Sequence, residues 1–528
     1  MVKGTSPVSS PHVDRSSALV ALGIFCSRLT GFVRQRVFAH YFGLQTDAAD
    51  AFMAAFRIPN FLQNLFGEGA LSASFIPVYA ALLAREDRRE AARVAGAILA
   101  LLSLVTSVLV LLGVLATPVL VTLIAPGFGG EKRDLTIAIV RILFPGAGLL
   151  VLSAWCLGIL NSHRRFLLSY IAPVIWNVAM IATLMWWGAR TPLPRLAVLL
   201  AWGAVAGSFL QMLVQLPAVL ALVPDLRPKL EFSGHVRTTV RNFVPVFFSR
   251  GVVQISAYID EVLASLLPTG AVAGLANAQL LYTLPVSLFG LSVSAAALPA
   301  MSGAVGTDAT HLLRDRVNTG LRQIAFFVVP SAVAFLALGD VIAAALFQTG
   351  RFRYEDALYV WAILAGSSLG LLATTLARLY SATYYALRDT RTPLRYALVH
   401  VGVATALGYL AAIVLPPRLG IEPLWGTVGL TIAASLAGWT ELILLRRGLN
   451  RRIGHTGLPA SLSVRLWGAA CAGAGVAWAV KVSLPRVHPI AAAALILTPF
   501  AVTFFALALL GGVSEARSVL ARLGRGRR

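Results

Sequence analysis

Arginines inside long apolar stretches are the residues of this sequence most able to do chemistry. A charge at mid-bilayer costs about 2.5–3.5 kcal/mol on insertion scales, so such a side chain usually faces a cavity. The arginine fork of N–H donors suits phosphate or pyrophosphate. The predicted anion-binding cluster comprises Arg28, Arg34, Arg57 and Arg250. Two other arginines in apolar stretches, Arg141 and Arg378, are interpreted as structural.

Carboxylates leave two alternatives open. The arginines could instead pair across helices with Asp50, Glu68, Asp260 or Glu261, or extend to the interface. A coupling cation, Na⁺ or H⁺, would need a carboxylate, and the candidate group is Asp260, Asp389 and Thr405. Adjacent positions 260 and 261 point about 100° apart on a helix, so at most one can face a given site. Asp340 and Glu441 are predicted at span ends without a special role.

Catalytic and metal-binding patterns are missing from the sequence. The three cysteines lie in apolar runs without metal-ligand spacing, and the eight histidines are scattered. No phosphate-binding loop, dinucleotide fingerprint or nucleophile elbow occurs. We therefore expect no enzyme activity, no resident cofactor and no metal.

Composition indicates a multispanning membrane protein. Of 528 residues, 58% are hydrophobic and 12% are charged, against about a quarter charged in ordinary soluble chains. Stretches of about 20 apolar residues suffice to span a bilayer. We predict an all-α fold with fourteen spans, near 17–36, 48–72, 92–116, 135–160, 166–188, 194–222, 240–267, 272–302, 320–347, 356–386, 394–414, 423–445, 464–483 and 489–512.

The net charge of +22 follows the positive-inside rule rather than a nucleic-acid site. With a cytoplasmic N-terminus, connections predicted inside carry roughly 28 basic residues and those outside about 11. We therefore expect both termini in the cytoplasm, a basic tail near anionic lipid and no nucleic-acid partner.

Two stretches of the sequence resemble each other at a register near 222 residues. Ser27-Arg28 matches Ser249-Arg250, and Leu65-Phe66-Gly67 matches Leu288-Phe289-Gly290. Six spans separate the copies, which predicts a parallel pseudo-twofold repeat of two six-helix lobes. The predicted divisions are a disordered N-terminus (1–16), N-lobe (17–222), linker (223–239), C-lobe (240–446), C-terminal helix pair (447–512) and basic tail (513–528).

Three segments resemble the MurJ/MviN lipid II flippase family of the MOP exporter superfamily. They are SRLTGFVRQ (27–35), TDAADAFMAAFRIPNFLQNLFGEGALSASFIPVY (46–79) and YYALRDTRTPLR (384–395). The resemblance covers nearly the whole chain, including the extra final pair of spans.

This resemblance implies export of undecaprenyl-pyrophosphate-linked peptidoglycan precursor, lipid II, from the inner to the outer leaflet of the bacterial cytoplasmic membrane. It implies alternating access of two lobes around a basic cavity, with the lipid tail in a groove near the last two spans. Arg28 and Arg34 match family positions needed for the head group, Asp50 and Glu68 match acidic positions, and Arg57 matches a basic one. The expected partners are lipid II, membrane lipids and possible cell-wall synthesis machinery, with the protein a monomer.

Three positions depart from the family pattern. Gln35 stands where an Asp often follows, and Gln63 and Leu280 stand where Arg is expected. Arg250 could replace the missing charge. These changes keep open an exporter of another polyprenyl-linked oligosaccharide, a cation-coupled drug antiporter of the same superfamily, a polyprenyl transferase and a scaffold for cell-wall enzymes.

Overall fold

The structure is a computed structural model that describes the backbone of residues 11–291, 309–485 and 487–525. Within these ranges, side chains are described except at 11–21, 68–69, 245–246, 248–257, 291, 309 and 522–525.

The predicted all-α fold is confirmed, since the regular elements of the described ranges are helices. Short π-helical turns follow α9 (286–291) and α13 (410–414), and a 3₁₀ turn occupies Pro423–Trp425. The α-helices are α1 (Pro11–Phe42), α2 (Asp47–Phe66), α3 (Glu68–Ala84), α4 (Arg88–Ile124), α5 (Gly130–Ser162), α6 (Phe166–Trp187), α7 (Leu193–Leu222), α8 (Gly234–Ser265), α9 (Ala271–Pro285), α10 (Ala309–Phe347), α11 (Tyr354–Ser368), α12 (Leu371–Ala386), α13 (Arg391–Tyr409), α14 (Leu415–Arg418), α15 (Gly426–Ile453), α16 (Ala460–Ser483), α17 (Pro489–Leu510) and α18 (Ser514–Arg525).

The helices account for the fourteen predicted spans. In the described ranges, 11 segments are long and apolar enough to cross a membrane, or 12 when the bent pair α11–α12 is one span. The two other predicted spans lie in α1 and α8, each 32 residues long. At 1.5 Å per residue these helices exceed the roughly 30 Å of bilayer hydrocarbon. The predicted eighth span, 272–302, runs partly into residues outside the described ranges.

The internal repeat appears as the same succession of helices in both halves. The ends of α1 and α8, the ends of α4 and α10, and the starts of α6 and α13 are each separated by about 222 residues. Arg164 and Arg388 occupy equivalent turns after the fifth helix of each copy and share a left-handed backbone, with φ 59° and 58°. The repeated Leu-Phe-Gly motif also interrupts an α-helix in each copy: α2 ends at Phe66, and the second copy lies in the π turn 286–291.

The chain divides into two compact units, 1–258 and 259–528, so the division falls inside α8 rather than in the predicted linker 223–239. The reason is the packing of the first part of α8. The Phe66 ring lies 5.4 Å from the Phe243 ring and 5.2 Å from the Phe247 ring. Val236 is buried in the same apolar cluster of the first unit.

Within the predicted disordered N-terminus (1–16), residues 11–16 are helical and belong to α1. Residues 1–10 lie outside the described ranges.

A buried carboxylate joins the C-terminal helix pair to the rest of the second unit. Asp340 of α10 is 3% exposed and lies 2.5 Å from the Lys481 ammonium of α16. The Tyr354 hydroxyl donates to the same Asp340 oxygen at 3.0 Å. Asp340 therefore joins α10 to α16 and to the start of α11, which is more than the passive span-end position predicted from sequence.

Replacing Lys481 by Met is expected to destabilise the protein by about 3 kcal/mol, because it leaves the buried Asp340 without its cationic partner. The midpoint of thermal unfolding in detergent measures this. The double variant Asp340→Asn/Lys481→Met should recover most of the loss. A midpoint for Lys481→Met equal to that of the wild type would show that this ion pair does not anchor α16.

Candidate functional site

A row of aromatic rings in the first unit leads to Arg34. The rings of Phe38 and Phe42 on α1 stack at 4.4 Å, and Phe38 lies 5.4 Å from Phe52 on α2. Phe52 stacks on Phe56 at 5.8 Å, and Phe56 lies 5.7 Å from Trp176 on α6. The row fixes the positions of α1, α2 and α6 relative to one another.

Trp176 is held in place by backbone contacts with α7. Its indole N–H donates to the Ala204 carbonyl at 3.0 Å. A Cβ at Gly207 would lie 3.0 Å from the Trp176 ring and carbonyl, so the small residue permits this close approach. The ring orientation is therefore set by the packing of α6 on α7.

The Arg34 guanidinium lies over two of these rings. Its central carbon is 4.9 Å from the Trp176 ring centre and 5.6 Å from that of Phe56. Such cation–π contacts contribute about 0.5–2 kcal/mol each, more when desolvated. Among the described side chains its hydrogen-bond acceptor is the Met180 sulfur, 3.8 Å away, and no carboxylate lies within ion-pair distance. The rings thus stabilise the cation while leaving most of its N–H donors for a ligand.

A cleft among α2, α5, α6 and α7 shares the two aromatic rings that contact Arg34. Its empty volume is about 280 Å³, and Phe56 and Trp176 form part of its wall. Asn60 and Ser208 are the polar side chains of the lining. Arg34 therefore stacks on two rings that also border this cleft.

Asp50 does not join Arg34. It is 1% exposed, and its carboxylate lies 2.8 Å from the Lys132 ammonium at the start of α5. Lys132 also lies 3.4 Å from Asp47 and 4.3 Å from the centre of the Phe128 ring. Asp50 forms an ion pair that joins the first turns of α2 and α5, and its head-group role stays a prediction.

The other predicted anion-binding residues are separated from the Arg34 stack or lie outside the described side chains. Arg28 is exposed on α1, about 9 Å along the axis and about 120° around it from Arg34. Arg57 is half-buried, and its backbone carbonyl accepts from the Tyr258 hydroxyl at 2.7 Å. The side chains of Glu68 and Arg250 lie outside those described.

The predicted cation group does not form one site. Asp389 precedes α13, accepts from the backbone N–H and hydroxyl of Thr392, and lies 2.8 Å from Arg452. Thr405 lies on the same helix about 20 Å further along, too far to share an ion with Asp389. Its hydroxyl donates to the Val401 carbonyl at 2.7 Å. Asp260 is half-buried on α8.

Two features escaped sequence reasoning. Trp176 gave no signal because 142 positions of chain separate it from Arg34. The available hint was a Trp next to Asn177 and close to Pro173 in an apolar span.

His400 and Glu441 lie mid-helix on α13 and α15. The His400 Nδ1 atom is 2.9 Å from the Glu441 Oε2 atom. Glu441 lies near the middle of α15 because that helix runs on to Ile453, beyond the end of the predicted span 423–445.

Acid should weaken the Asp389 contact in a defined pH window. Hydrogen bonds from Thr392 and the charge of Arg452 lower the pKa of Asp389 from 3.8 to about 2. A lowered carboxyl pKa stabilises the folded state above the unfolded value and loses that stabilisation as pH falls through the folded one. The thermal midpoint of the wild type should therefore fall between about pH 4 and pH 2 more steeply than that of Asp389→Asn. Equal slopes would contradict this.

The sequence is similar to known proteins over most of its length. The family model for lipid II flippase MurJ matches residues 38–511. A probable lipid II flippase MurJ of Rhizobium tropici is 33% identical over 81% of this chain and 79% of its own. The lipid II flippase MurJ of Burkholderia cenocepacia is 31% identical over 85% and 86% respectively.

Solved structures agree at the level of fold. A lipid II flippase MurJ in an inward closed conformation superposes with a TM-score of 0.76 at 23% identity, covering 95% of this chain and all of that one. An inward-facing multidrug MATE transporter of the MOP superfamily gives 0.65 at 18% identity, covering 80% and 95%. With the family model spanning nearly all the membrane helices, this multi-pass chain is a member of the lipid II flippase MurJ family.

Proposed function

We propose that this protein moves lipid II from the inner to the outer leaflet of the bacterial cytoplasmic membrane. The family relationship supports the substrate class, since the relatives are named for lipid II. The single structural observation that supports it within this chain is Arg34, a membrane-helix cation held by Trp176 and Phe56 with its hydrogen-bonding capacity largely unused.

The chemistry of Arg34 fits a pyrophosphate. Stacking holds the guanidinium plane without consuming its N–H edge, so two parallel hydrogen bonds to one phosphate remain available. Low surrounding polarity strengthens those bonds relative to water. This single contact binds the pyrophosphate, while the glycan and the isoprenoid tail of the lipid contact other parts of the protein.

The mechanism we infer is transport without covalent change of the substrate. Arg34 binds the pyrophosphate, and Arg28 and Arg57 supply further positive charge on α1 and α2. Alternating access of the two lobes carries the head group across. No catalytic group is assigned, and we propose that the protein is not an enzyme.

Cellular placement follows from the charge bias of the loops. We propose an inner-membrane protein with both termini in the cytoplasm, acting as a monomer beside the cell-wall synthesis machinery. The buried Gln35 and half-buried Gln63 replace charges expected in the family pattern. With these two charges absent, binding of the head group depends more heavily on Arg34 than the family pattern would predict.

Arg34→Lys should reduce lipid II translocation about tenfold or more at normal membrane levels. Lysine keeps the charge but loses the planar fork and its stacking, and a charged hydrogen bond contributes about 1.5–3 kcal/mol. Accessibility of labelled lipid II to an outside probe in proteoliposomes measures it.

The matched control is Arg190→Lys. Arg190 also stacks on a tryptophan, with its guanidinium carbon 5.1 Å from the Trp186 ring centre, but it is exposed beyond the end of α6. This variant should translocate within about twofold of wild type. If both variants translocate lipid II at nearly the wild-type rate, Arg34 does not bind the head group.

Rescue of cells depleted of their lipid II flippase tests the substrate itself. The wild-type gene should restore growth and outward exposure of lipid II. Exposure of another polyprenyl-linked glycan, with lipid II still retained inside, would favour the alternative exporter.

A further inference from the structure

The loop that joins α7 to α8, residues 223–233, carries two exposed apolar side chains. Leu230 is 52% exposed and Phe232 is 74% exposed. Most other strongly exposed apolar side chains of the described residues lie on membrane-spanning helices, where lipid covers them. This loop lies outside such helices, because α7 ends at Leu222 and α8 begins at Gly234. The exposure of Leu230 and Phe232 therefore needs a separate explanation.

The α7–α8 loop is fixed against α4. A Cβ at Gly96 would overlap the Arg227 carbonyl, so the glycine allows the loop to cross α4 in direct contact. Four residues further along, Glu231 forms an ion pair with Arg93 of α4. The loop is thus held to one helix at two points, and both points belong to the first unit.

These contacts decide which side chains face outward. Successive side chains of an extended chain point in opposite directions. The ion pair with Arg93 directs Glu231 toward α4. Leu230 and Phe232, on either side of Glu231, are consequently directed away from α4, in agreement with their exposure.

The level of the loop is that of the lipid headgroups. Gly96 lies about 12 Å along α4 from its first residue, Arg88, and Arg93 lies about 8 Å along it. The apolar stretch predicted to cross the membrane begins near residue 92, so the loop contacts α4 where this helix enters the hydrocarbon. The headgroup layer on each side of the bilayer is about 5–8 Å thick. Leu230 and Phe232 therefore lie near this layer, on the side predicted to be cytoplasmic.

The surroundings of the two apolar side chains are basic. Four exposed basic residues flank them on the loop and on the first two turns of α8: Arg227, Lys229, Arg237 and Arg241. None of the four has an ion pair among the described side chains, whereas the carboxylate of Glu231 is compensated by Arg93. Asp225 is exposed and offsets one of these charges. The remaining positive charge is complementary to the phosphates of anionic lipid.

We propose that the α7–α8 loop is a membrane-interface anchor. Leu230 and Phe232 insert among the headgroups of the leaflet predicted to be cytoplasmic, and the flanking basic side chains bind the phosphates of anionic phospholipids. Apolar side chains bordered by basic ones are typical of segments that lie in the interface. Lipid is favoured over a protein partner because the contact with α4 holds the loop at headgroup level. The anchor binds bilayer lipid, so it does not depend on the proposed transport function.

The depth of the loop can be measured with a nitroxide label at Leu230→Cys, which leaves Phe232 in place. The full chain, with Cys26, Cys156 and Cys471 replaced by Ala, is reconstituted into vesicles of phosphatidylcholine and phosphatidylglycerol. The label should be protected from a water-soluble nickel chelate and accessible to dissolved oxygen. A control label at Arg89→Cys, exposed on the first turn of α4, should remain accessible to the chelate. Equal access of the chelate to both labels would overturn the proposal.

Variants of the labelled protein separate the apolar and the electrostatic contributions. Phe232→Ser should expose the label to the chelate. A basic residue near an anionic surface strengthens membrane binding about fivefold, so Arg237→Gln/Arg241→Gln should shift the loop toward water by about tenfold or more. Omission of phosphatidylglycerol should act in the same direction. The matched control Arg190→Gln/Arg195→Gln removes two exposed charges near the opposite end of α7 and should leave the label protected.

Three results would contradict the anchor. Protection that survives Phe232→Ser would exclude apolar insertion. Protection that survives both Arg237→Gln/Arg241→Gln and the omission of phosphatidylglycerol would exclude recognition of anionic lipid. A label that is accessible in vesicles, and becomes protected only when cytoplasmic proteins are added, would show that a protein covers this surface.

Discussion

The cost of placing charge in hydrocarbon governs the organisation of this protein. Each ionisable group described inside a span must be compensated, and the chain uses several different solutions. Asp50 and Asp340 are nearly sealed from solvent and each meets a lysine ammonium. These two pairs join helices: α2 to α5 in the first unit, and α10 to the C-terminal pair in the second. A lysine ammonium therefore compensates the charge of each buried carboxylate.

Arg34 is compensated in another way, and that difference gives it a functional meaning. Aromatic faces stabilise a guanidinium through its π surface and leave its N–H edge unused. A carboxylate partner would have occupied that edge. The aromatic row from Phe38 to Trp176 therefore has two roles. It packs three helices together, and it positions a guanidinium whose N–H donors are largely unused. His400 and Glu441 represent a third arrangement, in which an imidazole nitrogen on α13 lies 2.9 Å from a carboxylate oxygen on α15.

The sequence was sufficient for the global architecture and less so for side-chain partners. Apolar stretches and loop charges predicted the spans because bilayer thickness and the positive-inside bias act on local composition. The repeat was readable because Arg28 and the Leu-Phe-Gly motif recur in order. Pairings such as Lys132 with Asp50, or Trp176 with Arg34, depend on which helix faces meet, which no local pattern encodes. The unit boundary within α8 was missed for the same reason, since Phe243 and Phe247 pack on Phe66, which lies far from them in the sequence. Asp389 was grouped with Asp260 and Thr405 as a candidate cation site, although the helix that begins at Arg391 places Thr405 about 20 Å further along its axis.

The central claim is that the Arg34 guanidinium contacts the pyrophosphate of the transported lipid. Solid-state NMR can measure the dipolar coupling between ³¹P of bound lipid II and ¹⁵N in the guanidinium groups of the reconstituted protein. The account predicts a coupling that corresponds to hydrogen-bond contact in wild type and in Arg190→Lys, and a marked loss of that coupling in Arg34→Lys. Undiminished coupling in Arg34→Lys would show that other arginines hold the pyrophosphate and would contradict the account.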